Sequence, residues 1–585
     1  MQLENIYHRS AFSDCYAVNT EEIIIRIRTG KDVTGVNVIH GDPYSAGISA
    51  SHPWSGEILA MVLDKELRNV FIWSIRLKPK YKREQYYFEI FTETERTYLL
   101  EDDFYSETEL HKTGRMIQYF KFPWLNSADV CMPPFWVEDT IWYQIMPDRF
   151  RRGDYREKRK PLKEWNTEKE ITYNDFFGGD LKGIIEKLSY LKELGISGIY
   201  LTPIFESTSN HKYNTADYTK IDSDFGDEKE LKELIEKAHN LGIRVMLDAV
   251  FNHCGNEFFA WQDVLKNGSS SRYADWFFIN EWPVDNTRGK TRDGRYFTFA
   301  YEPYMPKLNT NNPEVVNYFT DICRYWVEEW KIDGIRFDVG NEISHSFIKR
   351  LHYELKQINP DLFLLGEIWH DSIQWLLGDE YDSVMNYPFV ESLNNFWLDK
   401  KMSSKDFMYH MNRCYSMYPE QVNRVLFNFL DSHDVGRVST RCGNLDIFFQ
   451  QLVVLMTMPG SPCLYYGTEI GMPGEKDPEN RRCMPWEKIA TGQYDDVMMD
   501  VKKLTALRAQ YPQMKSSNII WKHREENPRI VCYEKQSEQG KEYLEVLINA
   551  SSKEIRIEEP GKVLFARKYE NDYLKGNGVL ILQKN

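Results

Sequence analysis

The sequence lacks the features expected of a nucleic-acid-binding or membrane protein. Its 73 Lys and Arg residues are outnumbered by 88 Asp and Glu residues, giving a formal net charge of −15, whereas binding a phosphate backbone requires a basic surface. The sequence has no run of about 18 apolar residues, the length needed to span a bilayer. The first ten residues contain no apolar core of signal-peptide length. We therefore expect no nucleic-acid partner, no membrane partner and a cytoplasmic location.

Cysteine is sparse and follows no pattern. Nine cysteines are scattered over 585 residues, and no pair stands at a zinc-finger spacing. Reduced thiols in a cytoplasm are the simplest interpretation, so we expect neither a disulfide framework nor a structural metal. A chain of this length predicts two to four domains.

The two ends of the chain have the pattern of β-domains. Residues 1–125 contain short alternating segments, such as 23–28 and 86–91, separated by turn-like Gly and Pro. This pattern predicts an N-terminal β-sandwich. Residues 516–585 again alternate, at 529–533, 543–549 and 579–582, which predicts a C-terminal β-domain.

Residues 126–515 alternate between strand-like and helix-like segments. Strict alternation of this kind predicts a parallel sheet, and eight strands predict closure into a (β/α)₈ barrel. The gap after the third strand is too long for one connection, and it predicts an inserted subdomain at about 253–311. The eight predicted strands are 141–150, 198–205, 243–252, 332–339, 362–369, 381–387, 425–434 and 462–471.

Local signals also place helices between these strands. A leucine and isoleucine stripe from Leu181 to Leu194 predicts one helix, which Gly195 ends. Asp227 can cap the following helix, and the pair Asn312-Pro313 supplies a cap and a first-turn proline for another. Alternation therefore rests on helix signals as well as on strand signals.

Acidic residues stand repeatedly where the apolar strands end. Since active sites of barrels lie at the carboxyl ends of the strands, these side chains are predicted to share one site. Asp338 and Glu367 are about one βα unit apart, and Asp434 follows about two units later. The polar strand-end residues are Asp248, Asn252, His253, Arg336, Asp338, Glu367, Trp369, His370, Asp431, His433 and Asp434.

Paired carboxylates with different roles are what glycoside hydrolysis requires. Arg336 lies two residues before Asp338 and faces the same way, so it can keep Asp338 ionised as a nucleophile. Glu367, beside Ile368 and Trp369, suits the protonated acid. Asp434 would then stabilise the oxocarbenium-like charge. The alternative is that Arg336 and Asp338 form only a structural ion pair.

Four motifs in this order resemble the α-amylase family of glycoside hydrolases: DAVFNH at 248–253, GIRFD at 334–338, GEIW at 366–369 and HD at 433–434. The resemblance implies that Asp338 is the nucleophile, Glu367 the proton donor and Asp434 the transition-state stabiliser. It also implies substrate contacts, with Trp369 on the acceptor side. The implied substrate-binding residues are Tyr213, His253, Arg336, Trp369, His433, Asp477 and Arg481.

Two shorter motifs, MPKL at 305–308 and Asn341-Glu342, resemble the neopullulanase, cyclomaltodextrinase and maltogenic amylase group. The resemblance implies hydrolysis of α-1,4 and possibly α-1,6 glucosidic bonds in cyclodextrins, maltooligosaccharides and pullulan. It also implies a homodimer, in which the N-terminal domain is a dimerisation arm. A sugar-binding module is another use for such a domain.

One loop departs from the group's pattern. Members often bind calcium in a loop after the first barrel strand, but here that loop, 152–158, carries Arg152 and Lys158 among the expected oxygen ligands. Calcium requires six to eight oxygens. We expect this site to be degraded, with Asp154, Gly178 and Asp180 left as remnants, and we expect no cofactor.

Two other functions share these residues. A 4-α-glucanotransferase would use the same nucleophile and acid, because a sugar hydroxyl can replace water as the acceptor. A non-catalytic amylase-fold binding protein would be expected to have lost catalytic acids, and this sequence retains all three.

Overall fold

The computed structural model describes residues 1–47, 54–110, 118–153, 158–165, 170–286, 289, 291–524, 526–537, 542–558 and 561–584. These residues form two compact units. The first unit contains residues 1–132, 371–379 and 401–423, and the second contains residues 133–370, 380–400 and 424–585. No helix among the described residues is both long and apolar enough to cross a membrane.

The strands of the described residues are β1 (Cys15–Ala17), β2 (Ile23–Gly30), β3 (Gly35–Gly41), β4 (Glu57–Ala60), β5 (Val62–Glu66), β6 (Val70–Leu77), β7 (Glu84–Phe91), β8 (Arg96–Leu99), β9 (Phe104–Tyr105), β10 (Phe120–Phe122), β11 (Trp142–Ile145), β12 (Gly198–Leu201), β13 (Phe205–Ser207), β14 (Thr215–Ile221), β15 (Arg244–Ala249), β16 (Gly334–Phe337), β17 (Phe363–Gly366), β18 (Ser383–Val384), β19 (Phe427–Phe429), β20 (Ser461–Tyr465), β21 (Ile519–Lys522), β22 (Ile530–Gln536), β23 (Tyr543–Asn549), β24 (Ile555–Arg556), β25 (Lys562–Glu570) and β26 (Tyr573–Lys584).

The α-helices of the described residues are α1 (Glu107–Leu110), α2 (Pro147–Phe150), α3 (Leu181–Glu186), α4 (Leu188–Glu193), α5 (Glu228–Asn240), α6 (Phe259–Asn267), α7 (Pro313–Tyr325), α8 (His345–Ile358), α9 (Tyr387–Leu398), α10 (Ser404–Cys414), α11 (Glu420–Asn423), α12 (Val438–Cys442), α13 (Leu445–Thr457), α14 (Trp486–Ala490) and α15 (Asp495–Gln510).

The N-terminal region is a β-sandwich, as the alternation predicts. One sheet has the order β1-β2-β6-β5, and the other has the order β4-β3-β7-β8-β9 with β10 paired to β7. Both predicted segments lie in central strands, at β2 and β7. The core between the sheets takes the inward residues of each strand, including Ile23, Ile25, Ile27, Val38, Phe88 and Ile90.

The second unit contains the predicted barrel. Its eight parallel strands follow the order β18-β17-β16-β15-β12-β11-β20-β19, and a parallel bridge from Met385 to Phe427 joins the two ends. The observed strands are shorter than the predicted apolar segments. Their last residues leave the hydrogen-bonded ladder and form the mouth of the barrel, where the polar side chains stand.

The caps confirm the helix signals, with one exception. The Asp227 carboxylate accepts a hydrogen bond from the Glu230 amide, and Asn312 accepts one from the Glu314 amide. The predicted helix at 181–194 is instead two short helices, α3 and α4, which meet at Lys187. The Lys187 ammonium lies 4.2 Å from the ring centroid of Trp486, so a tertiary contact accompanies the break.

The connection after β15 is the predicted insertion. It contains α6 and a set of isolated antiparallel bridges, and one of these pairs Lys307 with His253. The insertion therefore returns to the strand end from which it departs, and it brings its own side chains to the mouth.

The C-terminal sheet has the order β21-β22-β23-β26-β24, with β25 paired to β26. Its predicted segments lie in β22, β23 and β26. The buried amide of Gln450 on α13 donates to the carbonyls of Asn549 and Gly578, so this sheet is tied to the barrel by hydrogen bonds as well as by apolar packing.

Candidate active site

Arg336 is the centre of the charge network at the mouth. Its side chain is 0% exposed, and its Nη1 atom lies 2.9 Å from Asp248 Oδ1 and 3.0 Å from Asp338 Oδ1. Its Nη2 atom lies 2.8 Å from Glu367 Oε2. One guanidinium therefore contacts three carboxylates from three neighbouring strands, β15, β16 and β17.

Asp338 follows directly on the last residue of β16, and both its oxygens are engaged. Oδ1 contacts Arg336, and Oδ2 accepts a hydrogen bond of 3.0 Å from Asn252 Nδ2. Burial raises the pKa of Asp338 well above its ordinary value, Arg336 opposes that rise, and Glu367 adds to it. Arg336 thus acts in the predicted direction, but desolvation acts against it.

Glu367 is positioned by backbone and aromatic donors. Its Oε2 accepts from the Val339 amide at 3.0 Å, and its Oε1 accepts from the Tyr387 hydroxyl at 3.1 Å and the Trp369 indole at 3.2 Å. Val339 has a φ of +45°, a left-handed conformation that is strained for a β-branched residue. This strained turn points the amide of the residue after Asp338 at the Glu367 carboxylate.

Asp434 lies on the other side of the site, among cations and imidazoles. Its Oδ2 is 3.0 Å from His433 Nε2, and its Oδ1 is 3.5 Å from Arg481 Nη2. Arg481 Nε also contacts Asp477 Oδ1 at 3.1 Å. Burial raises the pKa of Asp434, and Arg481 and Arg336 oppose the rise.

The imidazoles of the site are held neutral. Burial lowers the pKa of His211 to about 3 and that of His253 to about 3, and it lowers the pKa of His433 well below the ordinary value. The Tyr213 ring stacks on His433 with centroids 5.2 Å apart, and its hydroxyl lies 2.6 Å from His433 Nε2. These groups can exchange hydrogen bonds with sugar hydroxyls without adding positive charge.

The structure brings nine of the ten predicted site residues to one cavity of about 860 Å³. The exception is Arg336, which lies buried beneath it. The nine are Tyr213, His253, Asp338, Glu367, Trp369, His433, Asp434, Asp477 and Arg481.

Sequence reasoning assigned no site role to other residues that line the same cavity. Met305 and Asn341 lie inside the two shorter motifs noted above, and His211 lies two residues before the predicted Tyr213, so a signal for them existed. Tyr173 lies in a loop, and Phe299 and Glu302 lie at the two ends of a short 3-10 helix, so none of them has a strand-end signal. The additional lining residues are Tyr173, His211, Phe299, Glu302, Met305, Val339 and Asn341.

Lys158, in the loop where the sequence predicts a degraded calcium site, lies beside Asp180, one of the predicted remnants of that site. Lys158 Nζ lies 3.3 Å from Asp180 Oδ2 and 2.6 Å from the Asp224 carbonyl. Asp180 Oδ1 accepts from the amides of Gly153 and Gly183. Asp154 lies outside the described residues. An ammonium and two amides therefore contact the two Asp180 carboxylate oxygens.

Comparison with known proteins identifies the family. Residues 144–526 match the alpha amylase catalytic domain, and residues 1–126 match the alpha amylase N-terminal ig-like domain. A cyclomaltodextrinase of Geobacillus thermopakistaniensis (strain MAS1) is 43% identical over 563 residues, which cover 96% of this chain and 93% of that protein. Neopullulanase 2 of Thermoactinomyces vulgaris is 38% identical over 538 residues, covering 91% and 89%.

A solved cyclomaltodextrinase structure has the same fold, with a TM-score of 0.88 at 35% identity, covering 100% of this chain and 98% of that one. The fold, the order of the motifs and these relatives agree. This chain therefore belongs to the α-amylase family of glycoside hydrolases, which act on α-glucosidic bonds, and to its cyclomaltodextrinase, maltogenic amylase and neopullulanase group.

Proposed function

We propose that this chain hydrolyses α-glucosidic bonds of cyclodextrins, maltooligosaccharides and pullulan, with retention of configuration, through a covalent glycosyl-Asp338 intermediate. The observation that carries this proposal is the shared guanidinium of Arg336, which contacts Asp338 at 3.0 Å and Glu367 at 2.8 Å. Two carboxyls within reach of one guanidinium are close together, as a retaining pair about 5–5.5 Å apart requires.

In the first step, an Asp338 oxygen attacks the anomeric carbon while the glycosidic bond breaks and Glu367 gives its proton to the leaving oxygen. In the second step, water attacks the same carbon, Glu367 takes the water proton, and Asp338 leaves. Asp434 stabilises the positive charge that develops at the anomeric carbon in both steps.

The surrounding residues orient the sugar. Tyr213 offers an aromatic face, and the neutral side chains of His253 and His433 line the cavity. Asp477 and Arg481 extend the polar wall away from the carboxylates. Since these groups are held by one another through the hydrogen bonds described above, the site is organised before substrate arrives.

The substrate class can be tested directly. The relatives named cyclomaltodextrinase and neopullulanase support cyclodextrins and pullulan as substrates for this chain. Chromatography of the products from β-cyclodextrin, pullulan and soluble starch, compared side by side, tests this and gives the ratio of α-1,4 to α-1,6 cleavage. Proton NMR of the first product is expected to show the α-anomer, and an initial β-anomer would refute the covalent intermediate.

Transfer to a sugar acceptor is the second candidate, and one observation favours it. The Trp369 side chain is 56% exposed in the cavity and stacks on Tyr387 with centroids 4.0 Å apart. Because its indole donates to the acid Glu367, this ring lies where the leaving sugar departs and where an acceptor sugar arrives. Products longer than the substrate at high maltooligosaccharide concentration would show glucanotransferase activity.

The proposed enzyme works without calcium or another cofactor. Lys158 supplies a covalently attached cation at Asp180, so activity and melting temperature are expected to be insensitive to EDTA. A large loss on chelation would contradict this proposal.

The proposal also includes a homodimer in the cytoplasm. Eight of the nine cysteines are buried and the ninth is half-buried, and a scattered, odd-numbered set of cysteines suits a reducing compartment. In the N-terminal domain, the edge strands β4 and β5 expose Ile58, Val62 and Leu63, an apolar edge suited to burial against a second copy. Light scattering of the full chain tests the dimer, and Val62→Glu is expected to shift it toward monomer.

A further inference from the structure

Two exposed aromatic side chains, Trp369 and Tyr173, line the same cavity, and the proposed mechanism uses only Trp369. Trp369 is 56% exposed and contacts the acid Glu367. Tyr173 is 60% exposed and also lines the cavity. Exposed large aromatics on the wall of a polar cleft are informative, because they leave an apolar face for a ligand to cover.

Tyr173 is reached from the catalytic groups by a chain of contacts that leads away from the acid. Asp434 contacts Arg481, Arg481 contacts Asp477 at 3.1 Å, and the Asp477 carbonyl accepts a hydrogen bond of 3.1 Å from the Tyr173 hydroxyl. Trp369 marks the leaving-group side of the site. Tyr173 is thus linked to the Asp434 side of the site. In the proposed mechanism the side opposite the leaving group is the donor side, where the non-reducing part of the glucan binds.

The ring of Tyr173 is held in place although it is exposed. Asn210 Nδ2 donates to the Tyr173 carbonyl at 2.8 Å and to the Asp175 carbonyl at 2.8 Å. Asp175 Oδ2 accepts from the Thr172 amide at 2.9 Å. The hydroxyl bond to Asp477 fixes the other end of the side chain. An exposed aromatic anchored at both ends loses little conformational entropy when a ligand packs on it.

We propose that Tyr173 is a specificity-determining residue whose ring stacks on the second glucose unit of the donor side, next to the unit held at the cleaved bond. This inference rests on the proposed function. It assigns to Tyr173 a preference for donors of at least two glucose units. Binding energy from that second, non-reacting unit would be used to orient the first unit over Asp338.

The test compares two substrates with the same leaving group, p-nitrophenyl α-glucoside and p-nitrophenyl α-maltoside, which differ only in the second donor unit. Tyr173→Ala is expected to lower kcat/KM for the maltoside roughly tenfold, which corresponds to losing about 50 Å² of buried apolar contact. The glucoside is expected to change by less than about twofold, an effect too small to reflect a lost contact with substrate.

Two further variants distinguish the effect of the Tyr173 ring from that of its hydroxyl and from that of losing any exposed tyrosine. Tyr173→Phe retains the ring and is expected to keep the maltoside preference, although its hydroxyl anchor is lost. Tyr353→Ala removes a tyrosine of comparable exposure (68%) on α8, outside the cavity, and is expected to leave kcat/KM for both substrates unchanged. Melting curves of all variants check that the fold is retained.

The outcomes are distinguishable from failure of the proposed function. If the unsubstituted chain hydrolyses neither nitrophenyl glycoside nor any of the glucans, the function itself fails. If it hydrolyses the maltoside but Tyr173→Ala changes both substrates equally, or neither, the inference is overturned. Equal losses in Tyr173→Phe and Tyr173→Ala would also overturn it, because the ring would then contribute nothing.

Discussion

The two ends of the barrel are built from the same strands but from opposite kinds of side chain. At the amino ends, Trp142 opens β11, Phe363 opens β17 and Phe427 opens β19, and the Trp142 ring centroid lies 6.0 Å from each of the other two. At the carboxyl ends, Arg336 and its three carboxylates are buried. The apolar end stabilises the barrel, whereas the charged end costs desolvation energy and performs the chemistry.

Burial has opposite energetic consequences at the two ends of the barrel. An apolar side chain that is buried lowers the free energy of the folded chain. A charged side chain that is buried must be compensated by partners, and here two of the three carboxylates that contact Arg336 are the proposed nucleophile and proton donor. Substitutions at the two ends should therefore separate activity from stability.

The largest effect is expected at the charged end. Asp338→Asn and Glu367→Gln should each lower kcat by about 10⁴-fold or more, since each removes the nucleophile or the proton donor. The melting temperature should change little, because Asn and Gln keep the shape of the side chain and Arg336 keeps two of its three carboxylate partners in either variant. Steady-state kinetics and calorimetry measure both, with the exposed Glu391→Gln as a matched control. Near-normal hydrolysis by either variant would refute the proposed mechanism.

The reverse is expected at the apolar end. Phe363→Ala should lower the free energy of unfolding by about 4 kcal/mol, because it removes a buried ring and leaves a cavity. Below its melting temperature, kcat should change less than about twofold, since no catalytic contact is lost. Denaturant unfolding and kinetics on the same sample test this. A large fall in kcat with an unchanged free energy of unfolding would contradict the assignment of stability to the apolar end and activity to the charged end.

A buried charge outside the cavity gives an intermediate case. Lys158→Met should cost roughly 3 kcal/mol of stability, because Asp180 would lose a cation inside the protein. Added calcium should not restore the loss if this donor set does not fit the ion. Thermal melts with EDTA and with calcium check both statements. Recovery in calcium would show that the loop retains a metal site.

The smallest effect concerns pH. Because His211 and His253 have pKa values of about 3 in the folded chain and about 6.5 when unfolded, the unfolded chain binds more protons below that value. Each imidazole therefore lowers stability as pH falls from about 6.5 toward 3, by at most about 1.4 kcal/mol per pH unit.

The measurement is the pH dependence of the unfolding free energy. His253→Gln should reduce its slope between about pH 6 and pH 5 by roughly 1 kcal/mol per unit. A slope equal to that of the unsubstituted chain would mean that His253 is not held neutral by burial.

Much of this architecture can be predicted from sequence because its signals are local. Each barrel strand is a short apolar run, and each catalytic acid follows such a run, so position along the chain predicts position in the fold. The caps at Asp227 and Asn312 are equally local. The order of the eight strands then follows from the parallel barrel itself.

The features that could not be predicted depend on contacts between distant residues. Nothing near Tyr173 in the chain indicates that its hydroxyl meets the Asp477 carbonyl, and no periodicity indicates that α3 ends at Lys187. The opposing effect of desolvation on Asp338 likewise requires the burial of the whole mouth. Such features depend on how loops after different strands meet.

The left-handed turn at Val339 has a consequence for screening variants of this enzyme. The turn stores strain in the folded chain before any substrate binds, and a glycine there would relieve it. A screen for heat tolerance alone would therefore favour Val339→Gly. A screen for turnover would reject it, because the amide that holds Glu367 would be free to swing. Improving this enzyme for one property at this position is thus expected to oppose the other.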